Sequence, residues 1–118
     1  MNKNKIEIVK GLVRFQGRFL IIKQDNYDLP GGTKLITDEP DDVALRRVIK
    51  DTIGMDIEIA KLLNEWQQDN MLGKTYLCRT DIDIVTTYNI SLDFFWGSKE
   101  EIEELPLPDW LKNAFTKL

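Results

Sequence analysis

The sequence contains no histidine and a single cysteine, Cys78. These absences exclude an internal disulfide, a zinc site built from cysteine and histidine, and any mechanism that uses an imidazole base. Long apolar runs are absent too, since the longest uncharged apolar stretch is Phe19–Ile22 and a helix that crosses a bilayer needs roughly 20 residues. The sequence therefore predicts a soluble protein of the reducing cytoplasm, without a membrane partner.

Positive charge is also scarce. The 16 lysines and arginines are outnumbered by 20 aspartates and glutamates, which gives a net charge of −4. Binding to a nucleic-acid backbone relies on clustered lysine and arginine that neutralise several phosphates, so no nucleic-acid partner is expected. With 42% apolar and 31% charged residues, the chain is predicted to form one globular domain over residues 1–118. A small molecule or a protein is the expected partner.

Apolar and β-branched stretches predict a sheet. Two strands are expected within residues 6–24, joined by a hairpin turn at Gln16–Arg18. Three further strands are expected, over residues 55–66, 74–85 and 91–96. A polar connection at 67–70 precedes Gly73, which is available for the turn between the first two of these three strands.

A central helix carries the clearest start and stop signals. Residues 37–42 supply capping side chains, a proline, and acidic groups for the positive end of the helix dipole. Apolar residues then recur at helical spacing over Val43–Ile53, and Gly54 stands where a C-terminal cap is expected. Ser98 is expected to cap an acidic helix over 99–104, and a terminal apolar helix follows two prolines. This order predicts an α/β fold of the α+β sandwich type, with a mixed β-sheet packed between helices.

The turn before the central helix and the helix itself carry a motif. Its parts are Leu29-Pro30-Gly31-Gly32, Glu39, Ala44-Leu45-Arg46-Arg47 and Gly54-Met55. This pattern resembles the signature of the Nudix (MutT-like) hydrolases, a family that cleaves nucleoside diphosphates linked to another group. The segment from Trp96 into the acidic helix is similar to the end of these domains, so the resemblance covers nearly the whole chain.

The resemblance implies a set of site residues. Anchored on Gly54, the catalytic positions of the motif fall on Glu39, Arg47 and Asp51. The metal positions fall on Asp51, Glu39 and Gly31, the last through a backbone carbonyl, and the substrate-binding residues would be Gly31, Gly32 and Tyr27. The family relation further implies Mg²⁺ or Mn²⁺ as cofactor of an active enzyme, a nucleotide-derived small molecule as ligand, and a homodimer as the assembly.

Two of the three helix glutamates of the motif are replaced. Val48 offers no oxygen, and Thr52 offers only a neutral hydroxyl. Positions 48 and 52 are neighbours one helical turn apart, where two carboxylates would hold a hard cation between them. Asp51 keeps a carboxylate but is one methylene shorter than glutamate. Metal-dependent hydrolysis is therefore expected to be weakened.

Several alternatives stay open at this point. The loop between Gly32 and Glu39 is one residue longer than the motif, and a register anchored on Gly32 still leaves one helix carboxylate, Asp51. Arg47 could pair with Asp51, while Glu39 could serve only the helix start. Carboxylates outside the motif could complete a metal site; the candidates are Glu65, Asp81, Asp83 and Asp93. Three aromatic residues could stack on a base or belong to the core, namely Phe15, Tyr27 and Trp66.

Two functions compete on these grounds. The first is a Nudix hydrolase-like protein that hydrolyses a nucleoside diphosphate linked to another group, with divalent metal and weakened activity. The alternative is a non-catalytic module on the same fold that binds a nucleotide or a protein. The turn Leu29-Pro30-Gly31-Gly32, which we call the glycine turn, is kept while helix carboxylates are lost, so whether the protein is an enzyme stays open.

Overall fold

The computed structural model describes residues 5–36, 38–87, 89 and 91–118. Within these residues, no helix is long and apolar enough to cross a membrane. The strands are β1 (Ile6–Phe15), β2 (Arg18–Lys23), β3 (Tyr27–Asp28), β4 (Gly31–Thr33), β5 (Glu58–Gln68), β6 (Met71–Arg79) and β7 (Asp93–Gly97). The helices are α1 (Asp41–Ile53), α2 (Lys99–Glu103) and α3 (Asp109–Thr116).

The strands form one mixed sheet. Its main order is β3-β2-β1-β6-β5, while β4 pairs with β1 and β7 pairs with β2. Strands β1 and β6 run parallel, and the other pairs are antiparallel. The predicted fold class, a mixed sheet with helices packed against it, is confirmed.

Each side of the sheet carries its own apolar layer, because successive side chains of a strand point to opposite faces. One layer joins β1 and β2 to α1 and includes Val9, Val13, Leu20, Ala44, Leu45, Ile49 and Ile53. The other joins the same strands to α2 and α3 and includes Leu12, Phe19, Ile21, Ile102, Leu111, Ala114 and Phe115. The sheet is therefore enclosed by α1 on one side and by α2 and α3 on the other.

Local signals predicted several turns and caps correctly. Gln16 and Gly17 both have positive φ, 50° and 77°, as a two-residue hairpin turn that matches strand twist requires. Gly54 adopts the left-handed conformation at the end of α1 and donates its N–H to the Lys50 carbonyl. Ser98 caps α2, since its hydroxyl accepts from the Glu101 N–H and the Glu101 carboxylate accepts from the Ser98 N–H.

The start of α1 differs from the prediction. The residue that precedes its first turn is Pro40, and no side chain caps the helix there. Thr37, one of the predicted capping residues, lies outside the described residues. Asp41 and Asp42 do lie in the first turn, where they complement the helix dipole. The prediction of acidic residues in the first turn is thus confirmed. The prediction of a side-chain cap is wrong for the described residues.

The prediction for Gly73 is wrong. The turn between β5 and β6 lies at Asp69 and Asn70, and Gly73 is buried inside β6 opposite Trp66. A Cβ on Gly73 would come 1.9 Å from the Trp66 ring, so the glycine makes room for the indole. Residues 80–85, which were expected to extend the strand, are irregular, and Ile84 is 65% exposed.

Candidate functional site

Some of the motif residues line a cleft between the glycine turn and the end of α1, which we call the motif cleft, whereas Gly32, Glu39, Arg47 and Val48 do not line it. It has a volume of about 350 Å³. Its lining includes Lys10, Asp28, Leu29, Pro30, Gly31, Asp51, Thr52 and Ile53. The structure therefore brings Gly31 and Asp51 to the same cleft, as the motif predicts.

Gly31 is held against β1 by backbone pairing. It lies opposite Lys10 in the β1–β4 ladder and has a φ of 155°, which side chains other than hydrogen rarely allow. A Cβ at this position would come 2.1 Å from the Val9 carbonyl oxygen. The close approach of β4 to β1 requires this glycine, and the same approach places its backbone in the cleft.

Val48 and Thr52 have structural roles at the two positions that lost a glutamate. Val48 is 8% exposed. One of its methyl groups packs on Gly32, since a Cβ added to Gly32 would come within 2.9 Å of that methyl group. The Thr52 hydroxyl donates a hydrogen bond of 2.7 Å to the Val48 carbonyl. Neither residue offers a charged ligand, and both serve the packing or hydrogen bonding of α1.

Glu39 and Arg47 bind each other. Two hydrogen bonds of 3.3 and 3.1 Å run from the Arg47 guanidinium to the Glu39 carboxylate, which also accepts the Leu35 N–H at 2.9 Å. The Arg47 hydrogen bond, followed by that of Leu35, lowers the pKa of Glu39 below its ordinary value. The alternative that pairs Arg47 with Asp51 is wrong, because Arg47 contacts Glu39 on the preceding loop. Glu39 therefore fixes this loop to α1.

The residues of the motif cleft do not fit a resident Mg²⁺ or Mn²⁺ ion. Such ions take several oxygen ligands, yet the described part of the chain contains no group of three or more aspartate, glutamate or cysteine side chains placed to hold a metal. Asp28 and Asp51 are the carboxylates that line the cleft, and Asp28 is paired with Lys10 at 3.0 Å. The candidates from outside the motif do not line it; these are Glu65, Asp81, Asp83 and Asp93.

A larger cavity, which we call the tryptophan cavity, adjoins the motif cleft. It has a volume of about 590 Å³ and is walled by Tyr27, Trp66 and Trp110. Trp66 stacks on Trp110 with ring centroids 5.0 Å apart and donates its indole N–H to the Thr75 hydroxyl at 3.3 Å. Phe15 instead packs edge to face on Trp96, with centroids 6.0 Å apart. Tyr27 and Trp66 thus line the tryptophan cavity, and Phe15 does not line it.

Comparison with known proteins identifies the fold. No protein-family model matches the sequence, and no curated protein matches it. A MutT Nudix hydrolase from Burkholderia pseudomallei has a similar structure, with a TM-score of 0.81 and 21% identity over 98% of this chain and 99% of that chain. A MutT protein from Methanosarcina mazei gives a TM-score of 0.78 and 19% identity over 98% and 94% of the two chains. This chain has the Nudix fold.

An ADP-ribose pyrophosphatase from Streptococcus suis also shares the Nudix fold. Its TM-score is 0.71, with 16% identity over 98% of this chain and 87% of that chain. At such identities the similarity shows the architecture, and the chemistry of this cleft depends on its own residues.

Sequence reasoning gave no individual site role to Lys10, Asp28 or Trp110. Lys10 and Asp28 lie between the cavities, and Trp110 forms a wall of the larger one. The sequence does contain a sign of a role for Lys10, because it is a lone charge in the otherwise apolar segment Ile8–Val13. For Asp28 and Trp110 it contains none, because their roles depend on how the Nudix fold brings distant segments together.

A charged network supports the loop of the Nudix motif. Asp41, at the start of α1, accepts a hydrogen bond from the Tyr76 hydroxyl and forms ion pairs with Lys34 at 2.7 Å and Lys74 at 3.3 Å. Burial alone would raise the pKa of Asp41, but the hydrogen bonds from Lys34, Tyr76 and Lys74 outweigh it and hold the pKa below its ordinary value. The network ties the end of the glycine turn and α1 to β6.

Asp41→Asn is expected to lower the free energy of unfolding at pH 7 by about 2 kcal/mol, because hydrogen bonds to charged groups contribute roughly 1.5–3 kcal/mol. The depressed pKa of Asp41 means that its contribution is present above the unfolded value of about 4 and is lost as the pH falls through the folded value. Urea denaturation of both proteins at pH 7 and at about pH 3 measures the difference.

Asp42→Asn is the matched control for this prediction. Asp42 is a neighbouring acid in the same helical turn and forms an exposed pair with Arg46 at 3.3 Å, a kind of interaction that contributes about 0.5 kcal/mol or less. Two results would contradict a stabilising role of the Asp41 network. The first is an equal loss of unfolding free energy in Asp41→Asn and Asp42→Asn. The second is a loss in Asp41→Asn that is as large at acidic pH as at pH 7.

Proposed function

We propose that this Nudix-fold domain binds a nucleoside diphosphate linked to another group, with metal-dependent hydrolysis that is weak or absent. One observation carries the proposal: Val48 packs on Gly32 where the motif has a glutamate. An apolar side chain in that contact provides no oxygen to a cation, and the neighbouring Thr52 hydroxyl is bound to its own helix. Gly32 and α1 thus stay packed together, while two of the three helix carboxylates of the motif are lost and Asp51 remains.

The size and lining of the two cavities support a nucleotide-derived ligand. Their volumes of about 350 and 590 Å³ lie within the range of small-molecule sites, roughly 300–1,000 Å³. Bases stack on aromatic side chains with about 1–3 kcal/mol per base, and Tyr27 and the stacked pair of Trp66 and Trp110 offer aromatic surface. The base is therefore assigned to the tryptophan cavity, and the diphosphate to the side of the motif cleft.

Isothermal titration with ADP-ribose and with nucleoside triphosphates, each with Mg²⁺ or Mn²⁺, tests this function, and ³¹P NMR of the same samples follows hydrolysis. ADP-ribose is included because one protein with this fold is an ADP-ribose pyrophosphatase. We expect binding with little or no hydrolysis, and retained binding in Asp51→Asn. Asp56→Asn, which changes another exposed aspartate near the end of α1, is the control.

The other results of this experiment distinguish the competing functions. Rapid metal-dependent hydrolysis that is lost in Asp51→Asn and kept in Asp56→Asn would establish a working hydrolase. Absence of both binding and hydrolysis would leave a protein-interaction module on the Nudix fold.

Length and composition support two further proposals, one domain over residues 1–118 and a cytoplasmic location, and the resemblance supports a third, a homodimer. Light scattering coupled to size-exclusion chromatography measures the mass in solution directly. A mass of twice 13.7 kDa is the result expected for the homodimer.

A further inference from the structure

Lys10 lies where the motif cleft and the tryptophan cavity meet. Both cavities are lined by Lys10 and by Ile22, Gln24 and Asp28. Among the described residues that line either cavity, Lys10 is the only cation. A ligand that extends from one cavity into the other would therefore pass this ammonium group.

The turn and the sheet hold Lys10 in a defined position. Its side chain is 14% exposed, and its ammonium lies 3.0 Å from one Asp28 oxygen and 3.1 Å from the other. The Leu29 carbonyl accepts a further, longer hydrogen bond of 3.4 Å. Gly31 leaves space for the stem of the lysine, since a Cβ there would come within 2.9 Å of the Lys10 Cδ. The glycine turn thus positions a cation as well as its own backbone.

Asp28 is a replaceable partner for this cation. The Asp28 side chain is 39% exposed, and one of its oxygens also accepts a hydrogen bond of 2.7 Å from the Leu29 N–H. A lysine ammonium has three donors, and two of them serve Asp28 and Leu29. An incoming anion can therefore take the third donor, or exchange with Asp28.

We propose that Lys10 binds a phosphate group of the ligand and that Asp28 competes with this phosphate for the ammonium. The assignment rests on the proposed function, because it needs a phosphorylated ligand that spans the two cavities. In a cleft whose carboxylates do not fit a resident cation, Lys10 supplies the charge that offsets the phosphate. Without it, Asp25, Asp28 and Asp51 would leave the lining of the cavities purely acidic.

The test compares ADP with adenosine, two probes that share a nucleoside and differ in their phosphates. Both are titrated calorimetrically at low salt with EDTA into the wild type, Lys10→Met, Lys10→Arg and Asp28→Asn. Lys10→Met keeps a stem of similar length without the charge, and Lys10→Arg keeps the charge. Asn retains an acceptor for the Leu29 N–H, so Asp28→Asn removes mainly the competing charge.

The proposal predicts that Lys10→Met weakens ADP binding about tenfold, because the loss of one hydrogen bond to a charged group lowers affinity by at least that factor. Adenosine affinity should not change. Lys10→Arg should retain most of the ADP affinity, and Asp28→Asn should strengthen ADP binding several-fold while leaving adenosine unaffected.

Three results would overturn the assignment, and they separate its failure from that of the proposed function. If the wild type binds ADP but Lys10→Met changes ADP and adenosine equally, or Asp28→Asn weakens ADP, the pair is only a structural clamp. If the wild type binds neither probe, the proposed nucleotide function fails, and the role of Lys10 fails with it. Thermal melts of all four proteins show whether a loss of affinity follows from unfolding.

Discussion

Gly31→Ala is expected to lower the free energy of unfolding by about 3 kcal/mol or more, since steric overlap and an unfavourable φ each cost roughly 1–3 kcal/mol. The added methyl group would lie 2.1 Å from the Val9 carbonyl oxygen and 2.8 Å from the Lys10 Cα. Both obstacles are backbone atoms of β1, so no side-chain rotation relieves the overlap. The strands β1 and β4 would have to separate, and the motif cleft would open with them.

Gly17→Ala separates the two causes of this loss. Gly17 also has a positive φ, 77°, but a Cβ there would meet nothing within 4 Å. Only the cost of the backbone conformation remains, about 1 kcal/mol. Urea denaturation of the three proteins gives the comparison. Similar losses for the two variants would mean that the close approach of β4 to β1 is not what requires Gly31.

Gly73→Ala is expected to cost about 3 kcal/mol by overpacking and to displace Trp66 from the wall of the tryptophan cavity. The new methyl group would lie 1.9 Å from the indole. The ring cannot turn aside without losing its stacking on Trp110 and its hydrogen bond to Thr75. A change in tryptophan fluorescence should therefore accompany the loss of stability.

A double-mutant cycle with Trp66→Leu tests this cause. Once the indole is gone, Gly73→Ala should cost little, because a smaller and more flexible side chain leaves room for the methyl group. Residues in direct contact commonly show coupling of about 0.5–3 kcal/mol, and the upper part of that range is expected. An equal cost of Gly73→Ala in both backgrounds would assign the glycine a role unrelated to Trp66.

The sequence predicted those features that depend on neighbouring residues. The end of α1 at Gly54, the hairpin at Gln16 and Gly17, and the cap of α2 at Ser98 each follow from the conformational preference or hydrogen bonding of a few adjacent residues. The motif spacing also placed Gly31 and Asp51 at one cleft.

Features that depend on distant segments were not predictable in this way. Gly73 is predicted in a turn because glycine is common in turns. The indole that covers it comes from another strand, so the residues next to Gly73 give no sign of the contact. The β-branched residues of 80–85 favour a strand, yet no partner strand pairs with this segment among the described residues. Lys10 and Asp28 are 18 positions apart and meet only because the glycine turn folds back onto β1. Charge pairs of this kind can be predicted only once the order and pairing of the strands are known.

Calorimetric titration of ADP-ribose into the wild-type protein, once with EDTA and once with Mg²⁺, measures whether ligand binding depends on a metal ion. We expect binding of the same affinity in both conditions, because the charge that meets the ligand comes from Lys10 and the cleft residues do not fit a resident metal. Binding that requires Mg²⁺ and is accompanied by rapid hydrolysis would contradict this expectation.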